Sequence, residues 1–198
     1  MRLSEIELPN QPFFPYVTVY DEALPRAFCD NIISKFEKNE GDVQRLTTLK
    51  GVRNFTEVNI SEHWLNEHET MVHCIQEAVR SYMSVHGIIY NVQFPRQFGY
   101  EFFRMKRYQP NGIDEFAHHT DVGSYGSARR FVACQWYLNT VEEGGSTGFG
   151  RKAGEPILEI PAVSGRLLIF PPLWTHPHWG SKVVSGPKYI ITGYLHYI

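Results

Sequence analysis

Two tight histidine pairs, His118-His119 and His176-Pro177-His178, hold four of the chain's nine histidines. The first pair runs on into Thr120 and Asp121, so a single residue separates His119 from Asp121. In an extended strand, side chains two positions apart leave the same face, and an imidazole and a carboxylate placed so can grip one ion. His178 offers a second imidazole from far downstream. Two histidines and one carboxylate on one side of a metal leave positions open for small molecules, a grouping that suits iron(II). Structural zinc would be expected to close its shell with a fourth ligand, most often cysteine. Cys29, Cys74 and Cys134 lie near neither pair. Iron is the expected metal, held by His119, Asp121 and His178, with His176 competing for the distal place.

Ten positions beyond His178 stands Lys188. Counting by twos along the closing stretch, Lys188, Ile190, Thr192 and Tyr194 share one face. That face aims an ammonium and a hydroxyl into otherwise apolar surroundings. A lysine is seldom buried without a partner, and the stretch itself contains no carboxylate, so a ligand carboxylate is the natural counter-charge. The plain alternative is a lysine at a strand start that reaches for solvent.

Such residues need rigid elements behind them. From about residue 98 the chain consists of short aromatic and β-branched runs broken by Gly and Pro, with expected strands at 98–108, 115–121, 131–139, 157–160, 166–170, 175–180 and 188–197. Regularly spaced short strands indicate a sandwich or jelly roll. Ahead of them the apolar spacing predicts two amphipathic helices. One opens at Pro25, buries Phe28, Ile32, Ile33 and Phe36, and stops near Gly41. The other starts with Ser61 as N-cap, carries a stripe from Trp64 to Tyr82, and ends before Gly87. On this second helix His68 and His73 read as surface or packing residues.

The bulk properties narrow the rest. A chain of 198 residues fits one domain and can bury a sizeable core. Hydrophobic residues make up 42% and mean hydropathy is −0.31, which describes a soluble globular protein. The net charge of −2 provides no basic field for nucleic acid or an anionic membrane. The N-terminus lacks the apolar stretch of a secretion signal and no run spans a bilayer, so the expected location is cytoplasmic. The oligomeric state is not set by the sequence.

Taken in order, these motifs resemble the 2-oxoglutarate/iron(II) oxygenase superfamily, and within it the prolyl 4-hydroxylase-like branch. The likeness runs from about residue 100 to the end, with a looser one around 17–33. Tyr108-Gln109-Pro110-Asn111-Gly112, then Phe116, then His119-Thr120-Asp121 is similar to that branch's tyrosine, glycine turn, aromatic and HxD. Arg130, Tyr137-Leu138-Asn139 and Gly144-Gly145-Ser146-Thr147-Gly148-Phe149 resemble its arginine, "YLN" strand and "GGxTxF" turn. His178-Trp179-Gly180, Ser185-Gly186-Pro187-Lys188 and Thr192-Gly193 resemble its distal histidine, co-substrate lysine and "TG" ending. The ten-residue spacing to Lys188 favours His178 over His176. Two positions depart from the pattern: Ser146 where an acidic residue is frequent, and Phe116 where tyrosine is.

The resemblance implies a mainly β fold with helices (α+β), a double-stranded β-helix of the jelly-roll, cupin-like kind buttressed by N-terminal helices. One domain would cover 1–198, helical over about 1–97 and β over about 98–198. It implies iron(II), 2-oxoglutarate and O2, with ascorbate as an accessory. The far carboxylate of 2-oxoglutarate would meet Lys188, with Thr192 and Tyr108 as hydrogen-bonding residues. The implied reaction is hydroxylation of a C–H bond, of a prolyl residue in a peptide or protein, with release of succinate and CO2. A small molecule or free amino acid as substrate, or a jelly-roll module that binds metal without turnover, are the alternatives. Nucleic-acid demethylases of the superfamily carry arginines after the distal histidine, and none follows Arg166 here.

Overall fold

The structure, a computed structural model, describes residues 4–6, 14–39, 41–48 and 53–198. Residues 1–3, part of the stretch read for a secretion signal, lie outside them. Helix α1 (Arg26–Lys38) follows Pro25 and buries Cys29, Ile32 and Phe36. It ends at Asn39, before Gly41. The second stripe is divided into α2 (Ile60–His63) and α3 (Leu65–Val85) by a break at Trp64, whose φ of −130° and ψ of 75° leave the helical region. Ser61 therefore sits inside α2 and caps nothing. Its hydroxyl accepts the Phe103 N–H at 2.9 Å and pairs with His68 Nδ1 at 2.9 Å, which ties α2 to α3 and to the residue just ahead of Arg104. α3 ends at Val85, and just beyond its cap residue His86, Gly87 adopts the left-handed φ of 60° that a helix end favours. No helix of the described residues is long and apolar enough to cross a membrane.

The first half also contributes strands, against the expectation of a helical half: β1 (Ser4–Ile6), β2 (Thr18–Asp21), β3 (Gln44–Thr47) and β4 (Arg53–Asn59). β4 escapes a reading by hydrophobic alternation because Arg53 and Glu57 stand where apolar residues would mark an inward face. The second half supplies β5 (Gly99–Tyr100), β6 (Arg104–Tyr108), β7 (Glu115–His119), β8 (Arg130–Tyr137), β9 (Thr147–Phe149), β10 (Leu158–Ile160), β11 (Leu167–Phe170), β12 (His178–Gly180) and β13 (Lys188–His196).

These strands form one antiparallel sheet in the order β1-β2-β11-β8-β13-β6-β4-β7-β12-β9-β10, with β3 on β4 and β5 on β13. It curls on itself into the jelly roll of a double-stranded β-helix. Consecutive β12 and β13 take different neighbours: β12 lies between β7 and β9, and β13 between β6 and β8. That crossover carries His178 and Lys188 to separate walls of one interior.

Alternation along the central strands builds two cores from single runs of apolar residues. Tyr189, Ile191 and Leu195 of β13 and Leu167 and Ile169 of β11 face the helices, packing with Ile32, Phe36, Ile75 and Val79. Ile190 of β13 and Leu168 and Phe170 of β11 face inward, with Phe55, Tyr137 and Phe149. Strands buried on both faces are held firmly, and the residues they point into the interior inherit that rigidity.

Candidate active site

Ligand atoms of His119, Asp121 and His178 all lie within 4.8 Å of one another. Cross-strand pairing is the cause. His119 at the end of β7 is the direct partner of His178 at the start of β12, so their rings meet with centroids 4.3 Å apart. β7 stops at His119, so Asp121 reaches the site from the bend beyond it and not from the strand pleat expected. The Arg130 guanidinium fixes that bend by donating to the Asp121 carbonyl at 3.0 Å.

The tautomers follow from the backbone. His119 Nδ1 bonds the Ala117 carbonyl at 2.7 Å, and His178 Nδ1 bonds the His176 carbonyl at 2.9 Å. Carbonyls only accept, so both Nδ1 atoms carry the proton and both Nε2 atoms present lone pairs. Those Nε2 atoms face the carboxylate, His119 at 3.4 Å from Oδ1 and His178 at 3.6 Å from Oδ2 of Asp121. His119 Nε2 is buried with no hydrogen-bond partner. Burial pushes the His178 pKa down to about 4, which leaves its ring neutral at pH 7. The Asp121 carboxyl is held well below the usual range although burial opposes its charge, and the Tyr194 hydroxyl donates to it. Three acceptors thus converge with no donor among them, which a divalent cation resolves. The donor set fits iron(II).

Lys188 enters the same cavity from β13, 2% exposed. Its ammonium donates to the Gly145 carbonyl at 2.8 Å and lies 4.8 Å from the centre of the Tyr108 ring. Gly144 and Gly145 turn that carbonyl inward through left-handed φ values of 76° and 70°, and a Cβ on Gly144 would run into the Lys182 carbonyl. Tyr108 is the cross-strand partner of Lys188, and it presents its ring face to the ammonium. Thr192 lines the cavity on the same face as Lys188. Beside them Gln135 Nε2 donates to the Thr147 hydroxyl at 2.9 Å, and Tyr137 donates to the same oxygen at 2.6 Å.

The remaining candidates fall outside the cluster. His176 Nε2 donates to the Pro15 carbonyl at 2.7 Å, so its side chain anchors the N-terminal segment while its carbonyl orients His178. His118 points away from His119 and bonds the Gly150 carbonyl at 2.8 Å. Trp179 covers Gly148, where a Cβ would come within 2.5 Å of the indole. Phe116 stacks on the His119 ring at 3.6 Å, nearly parallel, and so forms a wall of the metal site. The hydroxyl of Ser146 bonds the Glu159 carboxylate, so the acid absent from the turn arrives from β10. The loop after Asp121 holds a short 3-10 turn, Tyr125–Ser127, closed by Ser124 and Ser127. Sequence reasoning gave no role to Lys106, Gln135, Thr147 or Tyr194. For Tyr194 the signal was present, since it shares the inward face of β13 with Lys188.

A three-residue group able to hold a metal ion and a buried lysine thus face one interior of a jelly roll. Residues 103–196, which hold the cluster and the lysine, match the model of the 2OG-Fe(II) oxygenase superfamily. The enzyme is a 2-oxoglutarate-dependent dioxygenase using iron(II), 2-oxoglutarate and O2. The fold is similar to a viral collagen prolyl hydroxylase from Paramecium Bursaria Chlorella virus-1, solved with 2OG: TM-score 0.68 and 22% identity over 92% of this chain and 97% of that one. A Trichoplax adhaerens prolyl hydroxylase, solved with a hypoxia inducible factor peptide fragment, gives 0.70 and 15% over 91% and 83%. A Pseudomonas putida prolyl-4-hydroxylase gives 0.67 and 16% over 92% of each chain. No curated protein matches the sequence.

Proposed function

We propose that the enzyme hydroxylates a C–H bond of a prolyl residue in a peptide or protein, converting 2-oxoglutarate and O2 to succinate and CO2. The observation that carries this reading is the facing arrangement of the His119–Asp121–His178 group and Lys188 within one cavity. The peptide assignment draws its support from the fold shared with prolyl hydroxylases, one of them solved with a peptide.

In this reading His119 and His178 hold iron(II) through Nε2, and Asp121 through its carboxylate. When bound, the metal supplies the oxidising chemistry that inserts one atom of O2 into the substrate. Lys188 meets the far carboxylate of 2-oxoglutarate, with Thr192 beside it as hydrogen-bond donor. Tyr108 steadies the ammonium through its ring. Phe116 and Phe170 border the histidines and exclude water from the reacting side. The test is a gain of one oxygen on a proline-containing peptide, dependent on both iron(II) and 2-oxoglutarate and accompanied by equimolar succinate. Oxidation of free proline in place of every peptide would move the assignment to a small-molecule substrate.

A further inference from the structure

The metal-side cavity adjoins a wider groove of about 390 Å³, and Lys106, Phe116, Asp121, Thr192 and Tyr194 belong to the walls of both. Three neighbouring strands, β6, β4 and β7, supply much of its lining. Their register sets Lys106 opposite Glu57 and Arg53 opposite Phe116. It is densely charged, with Arg53, Arg104, Lys106 and Arg130 set against Glu57, Glu101 and Asp121.

Most of these charges have partners. Arg130 grips Glu101 through two hydrogen bonds of 2.8 and 2.7 Å. Arg104 reaches Glu57 at 3.3 Å. Asp121 belongs to the metal group. Two cations remain. Lys106 is 6% exposed, yet its ammonium donates no hydrogen bond among the described residues and has no carboxylate within ion-pair distance. It lies 5.2 Å from the Phe55 ring centre and 5.6 Å from that of Phe116. The Arg53 guanidinium approaches the same Phe116 ring at 5.2 Å.

Ring faces compensate an ammonium only in part, and the three N–H donors of Lys106 find no acceptor among the described residues. Burial lowers the Lys106 pKa to about 8, with Glu57 and Asp121 working against that fall, so the group remains a cation at neutral pH. The co-substrate already has a counter-charge in Lys188. Lys106 and Arg53 therefore constitute a positive excess facing the side from which a substrate must come.

We propose that Lys106, assisted by Arg53, forms an anion subsite next to the reacting carbon, and that the substrate carries a carboxylate close to the C–H bond that is oxidised. This rests on the oxygenase reading and narrows it to acidic substrates. A carboxylate matches the geometry: the buried ammonium takes one oxygen, and the more exposed guanidinium can take the other. The carboxylate comes from a glutamyl or aspartyl neighbour in a peptide or from the free carboxyl of a small acid.

The test measures binding to the full chain loaded with Mn(II) and 2-oxoglutarate. The probes are one proline peptide with Glu, Gln or Lys beside the proline, and N-acetylproline against its methylamide. A Glu peptide or the free acid should bind about tenfold tighter than its neutral counterpart, the Lys peptide weakest, and the gap should shrink with salt. The Glu peptide winning assigns a peptide source, and only the free acid winning assigns a small molecule. K106M should remove most of the gap, R53A part of it, and K106R should retain it. Equal affinity of charged and neutral probes, a gap that survives K106M, or no acid binding at all would overturn the proposal. If K106M fails to fold, R53A and K106R carry the same comparison. Titrating 2-oxoglutarate in the same samples separates the two readings. Failure of the wild type to bind it removes the oxygenase reading, whereas a loss in K106M as large as in K188M removes only the subsite.

Discussion

The hydroxyl of Tyr194 donates a hydrogen bond of 2.9 Å to Oδ1 of Asp121, a residue 73 positions away in sequence. Burial and the facing Asp121 carboxylate raise the phenol pKa well above its ordinary value, so it remains a donor at any working pH. The Arg130 guanidinium in turn covers the Tyr194 ring at 4.1 Å while holding the Asp121 backbone. The carboxylate is therefore oriented through both its side chain and its main chain.

Replacing Tyr194 by Phe keeps the ring and removes only the donor. Metal affinity should fall by about 10- to 100-fold, the usual effect of losing a group that orients a ligand. Titration with Co(II), read by its visible absorption, measures this directly. Unchanged affinity would free Asp121 from dependence on Tyr194.

The two histidines of the distal pair should separate cleanly. H178A deletes a ligand and should abolish metal-dependent succinate production. H176A should leave the ligands in place, because the carbonyl that holds His178 is main chain. It should cost about 0.5–1.5 kcal/mol of stability through the lost hydrogen bond to the Pro15 carbonyl, visible as a lower Tm. The reverse pattern would swap the two roles.

In the proposed function, Lys188 links co-substrate binding to pH. Burial, with Lys106 adding to it, lowers its pKa from 10.5 to about 7. In the free protein the group is neutral above that value, whereas the carboxylate of 2-oxoglutarate requires the ammonium. Binding at pH 8 should therefore take up close to one proton per ligand, and at pH 6 almost none, as calorimetry in buffers of different ionisation heat would show. The unfolded chain keeps this proton up to about 10.5, so the group's contribution to the stability of the free protein should rise with pH between about 7 and 10.5. K188M should eliminate the uptake and weaken binding by about 2 kcal/mol or more. Proton uptake that persists in K188M would assign the titration to another group.

The turn that receives Lys188 should be intolerant of a side chain. G144A combines a left-handed φ of 76° with a clash against the Lys182 carbonyl. A loss of about 1–3 kcal/mol is expected, and denaturant unfolding would register it. G112A, at a φ of 73° with open space around its Cβ, should cost less. Equal losses would mean that the strain, and not the clash, decides.

The residue types that meet in the cavity were legible in the sequence, and so was much of their support. His119, Asp121, His178 and Lys188 are chemically distinctive, and period-two counting put Lys188, Thr192 and Tyr194 on one face because a strand fixes alternation locally. What local pattern cannot encode is which strands meet. The pairing of His119 with His178 joins β7 to β12 across 59 residues of sequence, and it is this pairing that turns two separate motifs into one metal group. The same limit hid β4 and Lys106. Charged residues on a strand read as a solvent face, and only the curl of the sheet converts Arg53, Glu57 and Lys106 into the wall of an interior groove. Composition and alternation fixed the candidates and their facing; long-range strand pairing, which depends on burying both faces of the central strands at once, decided which of them share a cavity.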